Sequence, residues 1–236
     1  MKNTFILFLI LFVSLNSDAQ TTIFNSLLQK HVSNNGVVNY EAFKKDEQKL
    51  EIFIKYLKNT TPNTSWSINK KRAFWINVYN AYTIQLILDN YPVESIMDIK
   101  KNGTSAWKIP FVKVGGKTYT LDQIEHEILR KELFDPRIHV GVNCASISCP
   151  KLANKAFTEE NIDKELTNLM TAFVNDKTRN KITKNSIEIS EIFNWFKDDF
   201  TKNGSLVDYL NKYSSTQINS NAKISFLTYN WKLNRK

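Results

Sequence analysis

The sequence predicts an α+β fold, mainly helical with a small antiparallel sheet. Three observations carry this. A long, almost wholly apolar helix is readable near the middle, short hairpin signals surround it, and the composition is that of a packed globule. The chain has 236 residues, 42% hydrophobic and 12% aromatic, with only 6 Gly and 5 Pro. That composition fits one domain with a large core.

The helix about 69–90 is the central element. Ala73 to Leu88 is apolar on most of its circumference, which marks a buried helix and not a surface one. Ser67 is placed to cap it and Pro92 to stop it. Asn77, Asn80 and Thr83 recur every third residue on one side. Buried amides need partners, so this stripe either bonds neighbouring backbone or edges a cleft.

Upstream, Thr22–Val32 reads as a helix, Asn34-Asn35-Gly36 as a turn, and about Tyr40–Leu57 as a second helix. Downstream, Phe111–Val114 and Lys117–Thr120 flank Gly115-Gly116, a hairpin signal. A helix follows from Gln123 to about Glu132, opened by Asp122. Arg137–Val142 alternates like a strand, which would put Arg137 and His139 on one face. Asn143–Lys155 is irregular and Thr158–Phe173 helical. A second hairpin spans Asn180–Ile189, helices cover about Glu191–Phe200 and Ser205–Tyr213, and Ile224–Tyr229 closes the chain as a strand.

Residues 1–19 read as a signal peptide that is removed, leaving 20–236 as a single globular domain. Lys2 gives a positive start, Phe5–Leu15 is apolar, and Ser17 and Ala19 are small residues before Gln20. The apolar block is about half of the roughly 20 residues that span a bilayer. The expectation is an exported protein, periplasmic or secreted, with no transmembrane segment in the mature chain. The net charge of +9 is scattered over lysines without a basic stripe interleaved with aromatics, so no specific nucleic-acid partner is expected.

Chemistry concentrates between Asp135 and Pro150. This segment holds both cysteines, Cys144 and Cys149, and His139. Three readings compete there. A local Cys144–Cys149 disulfide suits an exported chain with an even cysteine count and ranks first on the residues alone. A thiol nucleophile served by His139, or by His126 beside Glu125, ranks second. A zinc site ranks third, because two Cys and one His supply at most three nearby ligands. No metal and no cofactor are expected.

The segments Arg72 with Phe74–Ala81, Leu121–Arg130, Asp135–His139 and Asn143–Pro150 resemble, in order, the blocks of the family called domain of unknown function 547. Ile192–Phe196 and Tyr229–Asn234 resemble its later blocks, so the resemblance runs over about residues 37–234. The family's tail carries Asp where this chain has Asn230. The resemblance implies a fold and a site without a reaction. The order of a buried helix, then a strand bearing His, is also distantly similar to papain-like and transglutaminase-like thiol enzymes, in which the cysteine starts the core helix. Here that helix has Asn77 and Asn80 instead.

The resulting expectation is a cysteine-dependent hydrolase or acyl-transferase acting on a small-molecule or peptide-like substrate. Its catalytic candidates are Cys144, Cys149, His139, His126 and Glu125. Asn77, Asn80, Arg137, Asn143 and Ser148 are the ligand-binding candidates. The alternative is a noncatalytic binding module fixed by the Cys144–Cys149 disulfide.

Overall fold

The computed structural model describes residues 19–236, so the signal-peptide reading lies outside the described residues apart from its last position. In chain order, α1 is helical over 19–31, followed by α2 Tyr40–Lys45, α3 Glu47–Asn59 and α4 Ile68–Asp89. Then come β1 Lys100–Lys101, β2 Thr104–Ser105, β3 Val112–Val114 and β4 Lys117–Tyr119. A π-helix, Gln123–Glu132, leads to α5 Ile138–Gly141 and α6 Ile162–Val174. The last elements are β5 Lys181–Ile182, β6 Ser186–Ser190, α7 Ile192–Trp195, α8 Lys197–Phe200, α9 Leu206–Asn211 and β7 Lys223–Leu227.

The α+β class holds. Helix α4 is buried from Ala73 to Ile84 without interruption and is capped where the sequence places the cap, with Lys70 N–H donating to Ser67 Oγ at 3.1 Å. Helices α2, α3 and α6 and the π-helix pack around it. The β3–β4 hairpin turns through Gly115 and Gly116, both at positive φ (55° and 78°). A type I′ turn needs that conformation, and glycine adopts it without a Cβ penalty.

Four sequence expectations are corrected. The helix read over Tyr40–Leu57 breaks at Asp46, whose carboxylate bonds Lys30, His31 and Lys49 instead of facing solvent. The helix read over Glu191–Phe200 likewise breaks, at Phe196. The closing strand β7 pairs parallel to β6, so the three-stranded sheet β5-β6-β7 is mixed and only β5–β6, β1–β2 and β3–β4 are antiparallel.

The fourth correction bears on the site. Arg137–Val142 is not a strand. Val142 N–H donates to Ile138 O at 3.0 Å and Val140 N–H to Arg137 O at 3.1 Å. The turn starts at Asp135, whose Oδ1 accepts the Arg137 N–H at 2.9 Å. Ile138, His139, Val140 and Gly141 are all buried, so alternation carried no information about faces there. Gly141 has no room for a side chain. A Cβ would come within 2.9 Å of side-chain carbons of Ile76 and Leu166.

The asparagine stripe on α4 anchors two incoming segments. Asn80 Nδ2 donates to Gly141 O at 2.8 Å, and its Oδ1 accepts the Asn143 N–H at 2.9 Å. Asn77 does the same for Phe157, donating to its O at 2.7 Å and accepting from its N–H at 3.0 Å. Thr83, the third member, has a buried hydroxyl without a hydrogen-bond partner among the described residues. Asn80→Ala strands a buried carbonyl and a buried N–H, so it should lower stability by roughly 1–3 kcal/mol. Urea denaturation checks this, and a loss near zero would mean that the loop finds other partners.

Candidate active site

The loop after α5 is built by amides. Asn143 Oδ1 accepts the Ala145 N–H at 2.9 Å, and its Nδ2 donates to Pro150 O at 2.8 Å. Ala145 is thereby held at φ 59°, a left-handed conformation that costs an alanine free energy. Asn234, from the C-terminal tail, donates to Asn143 Oδ1 at 3.3 Å, and its N–H bonds Ala145 O at 2.9 Å. Ser148 is pinned by the same tail, its Oγ accepting the Asn230 N–H at 2.9 Å. Asn143, Ser148 and Asn230 therefore shape the loop through backbone bonds.

The loop delivers both thiols to one cavity of roughly 220 Å³. Its lining includes Glu125 and His126 of the π-helix, His139 of α5, Cys144, Cys149, Phe196 and Tyr229. Trp107, Trp195 and Trp231 complete an aromatic wall. All five catalytic candidates thus meet. Of the ligand-binding candidates, none lines it. Asn77 borders a separate cleft of roughly 520 Å³, and Arg137 is spent on Asp135 (2.8 Å) and Asp163 (2.7 Å).

The two cysteines are free thiols in unequal settings. Cys149 is buried, and burial pushes its thiol well above the ordinary range. Cys144 is half-buried, with its N–H donating to Cys149 Sγ at 3.3 Å. The Cys144 sulfur has the Ser146 hydroxyl at 3.2 Å and the Tyr229 hydroxyl at 3.5 Å. Hydrogen bonds from Cys149, Ser146 and Tyr229 outweigh burial and bring Cys144 down to about 7.

His139 is wholly enclosed, stacked on Phe196 with ring centroids 4.0 Å apart. Its Nε2 is 2.8 Å from Asp199 Oδ2. Burial drives its pKa down despite Asp199, so the ring is neutral near pH 7. A neutral ring that donates Nε2–H to the carboxylate leaves Nδ1 as an acceptor. That Nδ1 is buried without a hydrogen-bond partner among the described residues, with Glu125 Oε1 at 4.0 Å. Burial opposes ionisation of Asp199, but bonds from His139 and from Arg130 Nε at 2.6 Å outweigh it and keep the carboxylate charged. Glu125 moves the other way, raised by burial. His126 bonds Arg130 through Nδ1 at 3.1 Å. Among the described residues neither cysteine sulfur bonds an imidazole; Cys149 Sγ accepts the Cys144 N–H, and Cys144 Sγ has Ser146 and Tyr229.

Residues 63–174 match the family described as "Protein of unknown function, DUF547". That stretch of the chain is similar to the family; it covers just under half of the sequence. Neither a curated protein nor a solved structure matches the chain. The matched stretch contains both cysteines, His126, His139 and Glu125. Asp199, Trp195, Tyr229 and Trp231 lie beyond it, so the cavity is closed by residues from outside that stretch.

Sequence reasoning missed Asp199, Ser146, Tyr229 and the three tryptophans. Asp199 had a faint signal, falling on the helical face marked by Phe196 and Phe200. Among the described residues, no group of three or more His, Cys, Asp or Glu side chains is gathered to hold a metal ion, and no helix is long and apolar enough to cross a membrane.

Alkylation with iodoacetamide should modify Cys144 with a rate that rises through a midpoint near pH 7, while Cys149 reacts only after unfolding. Tyr229→Phe and Ser146→Ala should both move the midpoint upward. A wild-type midpoint at the free-cysteine value of about 8.5 would remove the activated thiol.

Proposed function

We propose that the cavity is the active site of a cysteine-dependent hydrolase or acyl-transferase, with Cys144 as nucleophile. The observation that carries this is the meeting of an acidified thiol and an oriented, neutral imidazole in one largely apolar cavity. The Cys144 thiolate attacks the acyl carbon, forming a carbon–sulfur bond. The leaving group departs with a proton from solvent. Ser146 and Tyr229 are the hydroxyl donors within reach of the sulfur, suited to the developing oxyanion. Water or another acceptor then attacks the thioester carbon. His139 Nδ1 takes the acceptor's proton, the carbon–sulfur bond breaks and the thiolate returns. Asp199 holds the ring by its Nε2–H, so it is a positioning residue and stabilises the imidazolium as it forms.

A second reading has its own observation. Cys144 N–H on Cys149 Sγ, 3.3 Å apart, brings the two cysteines together, as a noncatalytic binding module with a local disulfide requires. We further infer export of the chain, from the signal-like residues 1–19.

A short-chain p-nitrophenyl ester tests both site readings. Wild type should release nitrophenol, and Cys144→Ser should abolish release. His139→Asn should slow turnover roughly a hundredfold or more and let an acyl adduct build up on Cys144. No adduct in any variant, with purified protein lighter by two hydrogens, would replace the enzyme by the binding module. N-terminal sequencing of exported material should begin at or near Gln20, and an intact Met1 there would overturn the cleavage.

A further inference from the structure

The chain carries a net charge of +9, yet among the described residues no lysine or arginine lines the thiol cavity. Its charged lining is acidic, Asp122 and Glu125. Arg130 lies behind the wall, over Phe196 at 4.9 Å, and is paired with Asp199 and His126. Ring faces make up much of the remaining wall. Trp195, Tyr229 and Trp231 are mutually in contact, with centroids 4.5–5.7 Å apart, and Trp107 meets Trp231 edge-on at 5.7 Å. Trp195 is 46% exposed, so its ring is open to an arriving group. Aromatic faces carry negative quadrupoles and attract cations, most strongly when the site is partly dry.

A second, independent observation also points to a ligand. His139 is 3% exposed and lines this cavity, but its Nδ1 has no hydrogen-bond partner among the described residues. An enclosed acceptor without a donor is costly unless a bound group supplies one. An alkylammonium answers each feature at once. Its charge suits the rings and the two acids, its N–H suits Nδ1, and its stem suits the apolar lining. A carboxylate or phosphate would meet like charge at Asp122 and Glu125 and a second acceptor at His139 Nδ1, leaving it the Tyr229 hydroxyl and the indole N–H groups as donors.

We propose that the cavity recognises a protonated primary amine on an apolar stem, carried by the substrate's leaving group, so that Nδ1 is free of it when water or another acceptor attacks the thioester. The assignment rests on the thiol-enzyme reading only for calling that ligand a substrate, since binding is measurable without turnover. Its approach also favours ionisation of Glu125, which burial disfavours in the empty site.

The test is equilibrium binding of three probes with a common stem: hexylammonium, hexan-1-ol and hexanoate. Tryptophan fluorescence reports the site, because three of the chain's five tryptophans line it. Hexylammonium should bind about tenfold more tightly than hexanol, and hexanoate most weakly. Glu125→Gln and Trp195→Ala should each narrow the gap between ammonium and alcohol. Equal affinity for ammonium and alcohol, preference for hexanoate, or no binding of hexylammonium would overturn the proposal. Repeating the titration in Cys144→Ser separates the two ideas. Retained ammonium preference beside absent esterase activity in wild type would sink the nucleophile and keep the amine site. Esterase activity without ammonium preference would do the reverse.

Discussion

The bidentate clamp of Asn80 on Gly141 and Asn143 is the interaction on which the rest of the site depends. It fastens the end of α5 and the start of the thiol loop to the most buried helix of the protein. Both bonds are enclosed, where neither backbone group could recover its partner from water. From that fixed point Asn143 bends the chain back on itself, and the tail residue Asn234 closes the turn from the other side. Ala145 is held left-handed by these bonds, and its neighbour Cys144 faces the cavity as a result. A polar network surrounded by apolar packing thus aims a small, reactive side chain.

The same burial acts on neighbouring groups with opposite results. It raises Cys149 and Glu125 and lowers His139, in each case disfavouring the charged form. Cys144 escapes because hydroxyl and thiol donors surround its sulfur, and Asp199 escapes because it holds both His139 and Arg130. One cavity therefore contains a thiol ready to ionise beside a neutral imidazole. That division of labour follows from which groups have donors, since all of them share the same low-dielectric surroundings.

The π-helix contributes a further constraint. Its wider winding spans Gln123–Glu132 and carries Glu125 inward against Tyr79 and His139 while His126 reaches the cavity from its rim. Successive residues on any helix diverge, yet here both border one space. The amphipathic pattern announced a helix, but the hydrogen-bond spacing within it depends on what packs against it.

By itself the sequence determined the α+β class, the buried central helix with its Ser67 cap, the Gly115-Gly116 hairpin and the segment that carries the thiols. These rest on local physics: apolar periodicity, capping chemistry and the positive φ that glycine tolerates. It misread Arg137–Val142, because a four-residue turn buried on all sides imitates strand alternation. Only the tertiary structure decided that Asp199, Tyr229 and Trp231, 55 to 92 residues further along the chain, would meet His139 and Cys144. It also decided that Asn77 and Asn80 would hold backbone and leave the cavity to others. Partners so distant in sequence are chosen by packing, and a buried polar atom declares its role only once the groups around it are in place.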